Sequence, residues 1–194
     1  MRSNRTGQAG GTHQMKPGLS SRAASCVLAA GLIALGAVAA QAEVTTFARA
    51  GGWRAFGGTT NNGKMVCGVS TEGGGRWFGI KYFHNDNSLT IQLSKDTWKV
   101  KDGTKVKITM QFDRESPWSA NATAFHMSDG DAALEFEVPS KMISQWLGEF
   151  RRSNTLIVRF PDSDVDDWRA GLAGTSEIAD RMGDCLRAMA KSNR

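Results

Sequence analysis

Apolar and polar residues alternate along several short segments of the chain. The clearest alternation runs from Lys105 to Phe112, where Val106, Ile108 and Met110 are separated by polar side chains. Residues 88–94 and 133–138 repeat this period of two, and residues 76–84 carry apolar side chains on both alternating sets. An alternating period is typical of strands with one buried face. Because turn-forming residues separate segments 76–84 and 88–94, the sequence predicts a hairpin there.

Two longer segments show the spacing of amphipathic helices, with apolar residues three and four positions apart. Residues 140–151 form the first segment, whose apolar stripe contains Met142, Ile143, Trp146, Leu147 and Phe150. Residues 175–190 form the second segment, whose stripe contains Ile178, Met182, Cys185, Leu186 and Met189. We therefore expect one helix inserted among the strands and one closing helix.

Shorter candidate strands at residues 44–47, 64–71, 122–128, 155–160 and 168–172 bring the expected strand number to between seven and nine. Residues 57–63 and the segment around Trp118 are interpreted as loops. Many short strands with turn signals between them favour an antiparallel β-sandwich or open barrel. The sequence thus predicts one mainly β domain over residues 43–194.

Residues 1–42 have the organisation of a signal peptide. Four basic residues lie in this region, residues 26–40 form an apolar run, and Ala40-Gln41-Ala42 provides a small-x-small cleavage site. The run is shorter than the roughly 20 residues that a spanning helix needs. The prediction is export to the periplasm or medium of a Gram-negative bacterium. Retention of the segment as an anchor is the alternative.

The net charge changes when the presequence is considered separately. The whole chain has 24 Lys and Arg against 19 Asp and Glu, a net charge of +5. Four basic residues and no acidic residue precede Glu43, which leaves 20 against 19. A nearly neutral domain gives no support for nucleic-acid binding.

Cys67 and Cys185 are the two cysteines that follow the presequence. An even number of cysteines in an exported domain indicates a disulfide. The bond would close a loop of roughly 120 residues and stabilise the fold by about 4–5 kcal/mol in the chain-entropy description. The domain contains no CxxC motif, so nothing in the sequence indicates a redox function for the pair.

Several segments carry a resemblance to a known family: Gly52-Trp53, the strand 105–112 that ends at Asp113, the helix before residues 155–160, and Gly171-Leu172-Ala173-Gly174 with Ile178-Ala179. In layout the chain resembles the invasion-associated locus B family of exported proteobacterial proteins. This resemblance implies a function at the cell envelope or in host-cell invasion. It transfers no catalytic residue.

The sequence lacks the motifs of common catalytic sites. The domain has no HxH or HExxH zinc motif, no G-x-S-x-G nucleophile elbow and no glycine-rich phosphate loop. We therefore predict no cofactor and a non-enzymatic binding or accessory function. The alternative is an envelope hydrolase that uses loop carboxylates such as Asp113 and Glu115.

One acidic loop offers a candidate calcium site, with alternating carboxylates at Asp162, Asp164 and Asp166. The first ligands of an EF-hand calcium loop alternate in the same way, at positions 1, 3 and 5. Asp167, however, occupies the sixth position, where an EF-hand needs glycine. The sequence therefore excludes an EF-hand and leaves a looser calcium-binding surface protein as a third alternative.

Exposed aromatic and basic side chains provide a candidate binding surface. Trp98 and Trp118 lie at predicted strand ends or in loops, and Lys99 and Lys101 adjoin Trp98. Such a surface suits an envelope protein, a host protein or a glycan. The alternative is that these lysines, with Lys105 and Lys107, form a solvated strand face that lies across from Glu135 and Glu137.

Overall fold

The structure is a computed structural model that describes residues 43–191, so the predicted signal peptide lies outside the described residues. The described chain contains ten strands and two helices: β1 (Val44–Ala50), β2 (Trp53–Thr59), β3 (Met65–Gly73), β4 (Arg76–Phe83), β5 (Ser88–Lys95), β6 (Lys105–Phe112), β7 (Trp118–His126), β8 (Ala132–Pro139), α1 (Ser140–Arg152), β9 (Thr155–Arg159), β10 (Trp168–Gly171) and α2 (Thr175–Lys191).

All ten strands belong to one antiparallel sheet with the order β1-β2-β3-β4-β5-β8-β7-β6-β9-β10. The prediction of a mainly β, antiparallel fold with an inserted and a closing helix is confirmed. The strands form a single open sheet, and α1 and α2 contact each other. Helix α2 packs on β1, β2 and β3, while α1 packs on β5 and β8.

The core lies between the sheet and the two helices. Alternate strand residues such as Ile80, Ile91 and Ile108 point into it and are fully buried, as their period of two requires. Trp146 and Phe150 of α1 stack there with ring centroids 5.8 Å apart. Burial of such side chains supplies most of the driving force for folding, about 1.5–3 kcal/mol for each large one.

A disulfide joins Cys67 on β3 to Cys185 on α2, with the two Cα atoms 5.9 Å apart. The cystine leaves no space beside Gly57, since a Cβ atom there would lie 2.6 Å from the sulfur of Cys185. This contact explains why a glycine occupies position 57 of β2, a strand that continues to Thr59 through residues that the sequence assigned to a loop. Gly57 pairs with Cys67 in the sheet and brings the backbone close to the cystine.

The two ends of the sheet approach each other although β1 and β10 are at opposite ends of the strand order. At the start of β2, the Trp53 indole N–H donates to the Gly171 carbonyl at 2.9 Å. Gly51 and Gly174 have positive φ angles of 56° and 92°, and the backbones around them touch. We call the line where the two ends meet the seam, and this contact its closed end.

Strand β5 lies in the middle of the sheet, and seven of its eight residues are buried. On the side away from the helices, Lys81 donates to Gln92 and Gln92 donates to Glu135. Burial lowers the pKa of Lys81 from its ordinary value of 10.5, and the Glu135 carboxylate opposes part of that effect. This network of polar side chains joins β4, β5 and β8.

The predicted opposition of Lys105 and Lys107 to Glu135 and Glu137 is wrong. Strand β7 lies between β6 and β8, so Lys105 pairs with Thr123, which in turn pairs with Glu135. The alternation fixes which way these side chains point but not the order of the strands. Strand β7 also begins at Trp118, earlier than the expected position 122.

Between residues 43 and 191, neither helix is long and apolar enough to cross a membrane.

Candidate functional site

Beyond its closed end the seam is open. There a cleft of about 460 Å³ separates the β3–β4 hairpin from β9 and β10. Its lining includes Glu72, Arg76, Trp77, Phe78, Trp168 and Arg169. We call this the Arg76–Trp168 cleft. Its volume lies within the range of about 300–1,000 Å³ that small-molecule sites occupy in proteins.

Trp168 at the start of β10 forms the aromatic wall of the cleft. Its indole stacks on Trp98 with ring centroids 5.1 Å apart, and Phe160 meets it edge-on at 5.6 Å. These contacts leave Trp168 only 5% exposed. Because two neighbouring rings hold it, the indole has a fixed orientation in the wall.

Arg76 at the start of β4 provides the cationic wall. Its guanidinium lies over the Trp168 ring, 5.5 Å from the centroid, in a cation–π contact. The Nε atom of Arg76 and the Nε1 atom of Trp168 are both buried without a hydrogen-bond partner in the described chain. Buried donors of this kind are rare and costly, so their presence in the walls of one cleft is informative.

The charge near the cleft is positive. The Glu72 carboxylate is occupied by Arg54, whose two terminal nitrogens donate to it at 2.9 and 2.6 Å. Among residues 43–191, neither Arg76 nor Arg169 forms an ion pair. Lys95 lies opposite Arg76 in the β4–β5 pair, next to Asp96, whose side chain packs over Gly75. The cleft therefore has one cation without an ion-pair partner, Arg76, and one neutralised carboxylate, while the exposed Arg169 lines both this cleft and the one that contains Asp113.

A second, wider cleft of about 760 Å³ contains Asp113 and Glu115, the carboxylates of the hydrolase alternative. Both Asp113 oxygens accept backbone N–H groups, from Asn154 at 2.9 Å and from Thr155 at 2.8 Å. The Asn154 hydrogen bond, followed by that of Thr155, lowers the pKa of Asp113 below its ordinary value of 3.8. Glu115 pairs with Arg152 at 3.1 Å. The Asp113 carboxylate is therefore held in place, and its hydrogen bonds join the end of β6 to the start of β9.

The acidic loop does not form a metal cluster. No group of three or more His, Cys, Asp or Glu side chains within residues 43–191 could hold a metal ion, so Asp162, Asp164 and Asp166 do not converge. Their neighbour Asp167 instead pairs with Arg159 at 3.4 Å. The described loop thus has no cluster of three carboxylates, and calcium binding there stays a prediction from the sequence.

The candidate surface residues fall into separate places. Trp98 is half-buried and packs against Phe160 and Trp168 behind the cleft, while the adjacent Lys99 and Lys101 are exposed. Trp118 is half-buried and donates its indole N–H to Glu149 of α1 at 2.6 Å. The structure thus associates Trp98 with the cleft and gives Trp118 a contact with α1.

Sequence reasoning missed Arg76 and singled out Trp168 only as the first residue of a candidate short strand. The two residues are far apart in the chain and come together only because the sheet curls. The one local signal is that each residue begins a strand and that an arginine and a tryptophan are adjacent there, in Arg76-Trp77 and in Trp168-Arg169.

Comparison of the chain with known proteins gave no match to a family model, to a curated protein or to a solved structure. The resemblance to the invasion-associated locus B family therefore stays a prediction from the sequence.

Proposed function

We propose that this chain is an exported, non-catalytic binding protein of the bacterial cell envelope and that the Arg76–Trp168 cleft holds its ligand. One observation carries the proposal. A half-buried guanidinium with no carboxylate partner lies over a fixed indole in a concave site of small-molecule size. Concave, mostly apolar sites with a few polar groups are the usual places for ligands.

Export is supported by two independent features. The Cys67–Cys185 disulfide is of a kind that persists in oxidising compartments such as the periplasm. The presequence pattern of residues 1–42 favours the same compartment. A function in envelope or host interaction agrees with the resemblance to the invasion-associated locus B family.

The volume of the cleft favours a small ligand over the protein or glycan partners that the surface residues suggest. Trp168 is too enclosed to offer an open ring face to a sugar. The cleft walls provide apolar surface and cationic groups together, which favours an amphipathic small molecule.

The proposal is tested by filling the cleft. Gly73 lines it, has no positive φ angle, and a Cβ atom there meets nothing within 4 Å. We expect wild-type protein purified from periplasm to carry a small molecule in native mass spectrometry. Gly73→Phe should lose this molecule because its ring occupies the cleft, whereas Gly73→Ala should retain it. The same adduct on all three proteins would contradict a ligand in this cleft.

Variants of the two carboxylates in the wider cleft distinguish the hydrolase alternative from a binding protein. Glu115→Gln should leave ligand retention and melting temperature unchanged, since Glu115 forms only an exposed ion pair with Arg152. Loss of a measurable hydrolytic activity in this variant, at unchanged folding, would instead favour the enzyme.

Asp113→Asn should lower the melting temperature through lost backbone hydrogen bonds. A carboxyl whose pKa is lower in the folded state stabilises the fold above its unfolded pKa, and loses that effect as pH falls through the folded value. The difference from wild type should thus be full near neutral pH and shrink below about pH 4. A difference that persists in acid would contradict this account of Asp113.

A further inference from the structure

The geometry points to a ligand class: we infer that the cleft takes a small organic acid, with its carboxylate at Arg76 and an apolar body along the remaining lining of the cleft. This inference rests on the proposed function, since it requires that the cleft binds a ligand. It specifies what the binding proposal leaves open, namely the charge of the ligand and the place of its charged group.

The charge follows from what each ionic group near the cleft already contacts. Glu72 has both oxygens engaged by Arg54 and neutralises no other group. Arg76 has no carboxylate partner in the described chain, and its Nε atom is buried without an acceptor. Arg76 as a whole is half-buried, and a half-buried cation without a counter-charge favours the binding of an anion.

The position of the guanidinium makes a carboxylate the fitting anion. A guanidinium presents its donors in a planar fork that matches the two oxygens of a carboxylate. The contact with Trp168 restricts where this fork lies, and Trp98 and Phe160 restrict Trp168 in turn. Little side-chain freedom is then lost when the anion binds, which favours affinity.

The backbone of β10 supplies a second donor. The Gly171 carbonyl accepts from Trp53 across the seam. The N–H of Leu172 points the other way and donates to the carbonyl of Asn154, the residue before β9. Backbone groups of neighbouring residues in a strand point to opposite sides, so Arg169 directs its N–H and C=O to the seam side like Gly171. In β10 this edge pairs with no further strand.

The rest of the cleft accounts for the apolar body. Phe78, Leu156, Val158 and Ala170 line it together with the Trp168 ring. Phe78, Leu156 and Val158 are buried core residues at the base of the cleft, and Trp77 and Ala170 are half-buried apolar residues of its lining. A small acid without an apolar part would leave this surface uncovered and gain little from it.

The test measures binding of defined probes to the disulfide-intact protein by isothermal titration calorimetry. The probes are 2-naphthoate, its neutral counterpart 2-naphthamide, the flexible acid decanoate, and acetate. We expect 2-naphthoate to bind about 10-fold or more tightly than 2-naphthamide, because a charge-assisted hydrogen bond to Arg76 is lost in the amide. Acetate should not bind measurably. The stronger of the two acids identifies an aromatic or an aliphatic body.

Two variants locate the effect. Arg76→Gln should remove the preference for the acid over the amide, while Arg114→Gln should not, since Arg114 is an exposed arginine outside this cleft. Gly73→Phe should weaken the acids and the amide alike by filling the site. It provides an uncharged perturbation should Arg76→Gln fail to fold.

The outcomes that overturn the inference differ from those that overturn the binding function. Equal affinity for 2-naphthoate and 2-naphthamide, or equal affinity for acetate and the larger acids, would refute the organic-acid class while leaving a ligand in the cleft. Failure of all four probes would also refute this class. The native mass spectrometry of Gly73→Phe and Gly73→Ala would then decide separately whether the cleft binds anything.

Discussion

The closed and open ends of the seam use similar residues in different ways. At the closed end, Trp53 is 1% exposed, and its indole N–H is satisfied by the Gly171 carbonyl. At the open end, Trp168 is nearly as buried, yet its indole N–H has no partner among the described residues. The closed end thus has its polar groups paired, as stable structure requires, while the open end keeps unpaired donors. Regions that depart from full pairing are where function is expected.

The disulfide should give the largest effect, because it fixes α2 over the sheet whose ends meet at the seam. Replacing Cys67 and Cys185 together by Ser should lower the free energy of unfolding by about 4–5 kcal/mol. Urea denaturation followed by circular dichroism measures this. Wild type with reductant is the control and should match the variant. A loss below about 1 kcal/mol would mean that packing alone holds α2 in place.

Gly51→Ala should give the next largest effect. A Cβ atom at Gly51 would lie 2.1 Å from the Ala173 carbonyl oxygen, and its φ of 56° disfavours any side chain. We expect a loss of about 2–5 kcal/mol from strain and backbone displacement. Gly73→Ala at the open end, where a Cβ meets nothing, should change stability by less than about 1 kcal/mol. Similar losses for both would remove the distinction between the two ends.

Trp53→Phe tests the hydrogen bond that closes the seam. Trp146→Phe is its matched control, because the Trp146 indole is fully buried with no acceptor in the described chain. Both changes lose similar volume, but only the first loses a hydrogen bond, so it should cost about 1–2 kcal/mol more. Thermal or urea unfolding of the two variants provides the comparison. Equal costs would show that the Gly171 contact adds no stability.

Arg76→Gln should have the smallest effect on stability. The change removes a cation–π contact worth about 0.5–1 kcal/mol, and it also removes a buried donor that has no acceptor. We therefore expect the free energy of unfolding to change by less than about 1 kcal/mol in urea. A loss above about 2 kcal/mol would assign Arg76 to structure rather than to ligand binding.

Much of the fold could be predicted from local patterns. The alternation from Lys105 to Phe112 gave the bounds of β6, and the helical stripes gave both helices to within one residue at either end. Strand β2 was not predicted, and its residues 57–59 were assigned to a loop; Gly57 lacks a side chain for a reason that lies in Cys185, far along the chain. Local periodicity records which face is buried but carries no information on a neighbour of that kind.

The candidate site could not be predicted for a similar reason. Arg76 and Trp168 begin strands that are distant both in sequence and in the strand order, and only the curling of the sheet brings them together. The carboxylates that the sequence did single out, Asp113 and Glu115, are engaged by Asn154, Thr155 and Arg152. Residue type suggested their chemistry, whereas their hydrogen-bond partners point to a structural role.

The covalent bond between Cys67 and Cys185 spans 118 residues and encloses every loop from the β3–β4 turn to the start of α2. A protease that cuts the backbone once anywhere inside this ring leaves two fragments tied together through sulfur. A nicked molecule would migrate as one band on a gel without reductant and as two bands with it. Such a chain keeps its two parts together after a single cut.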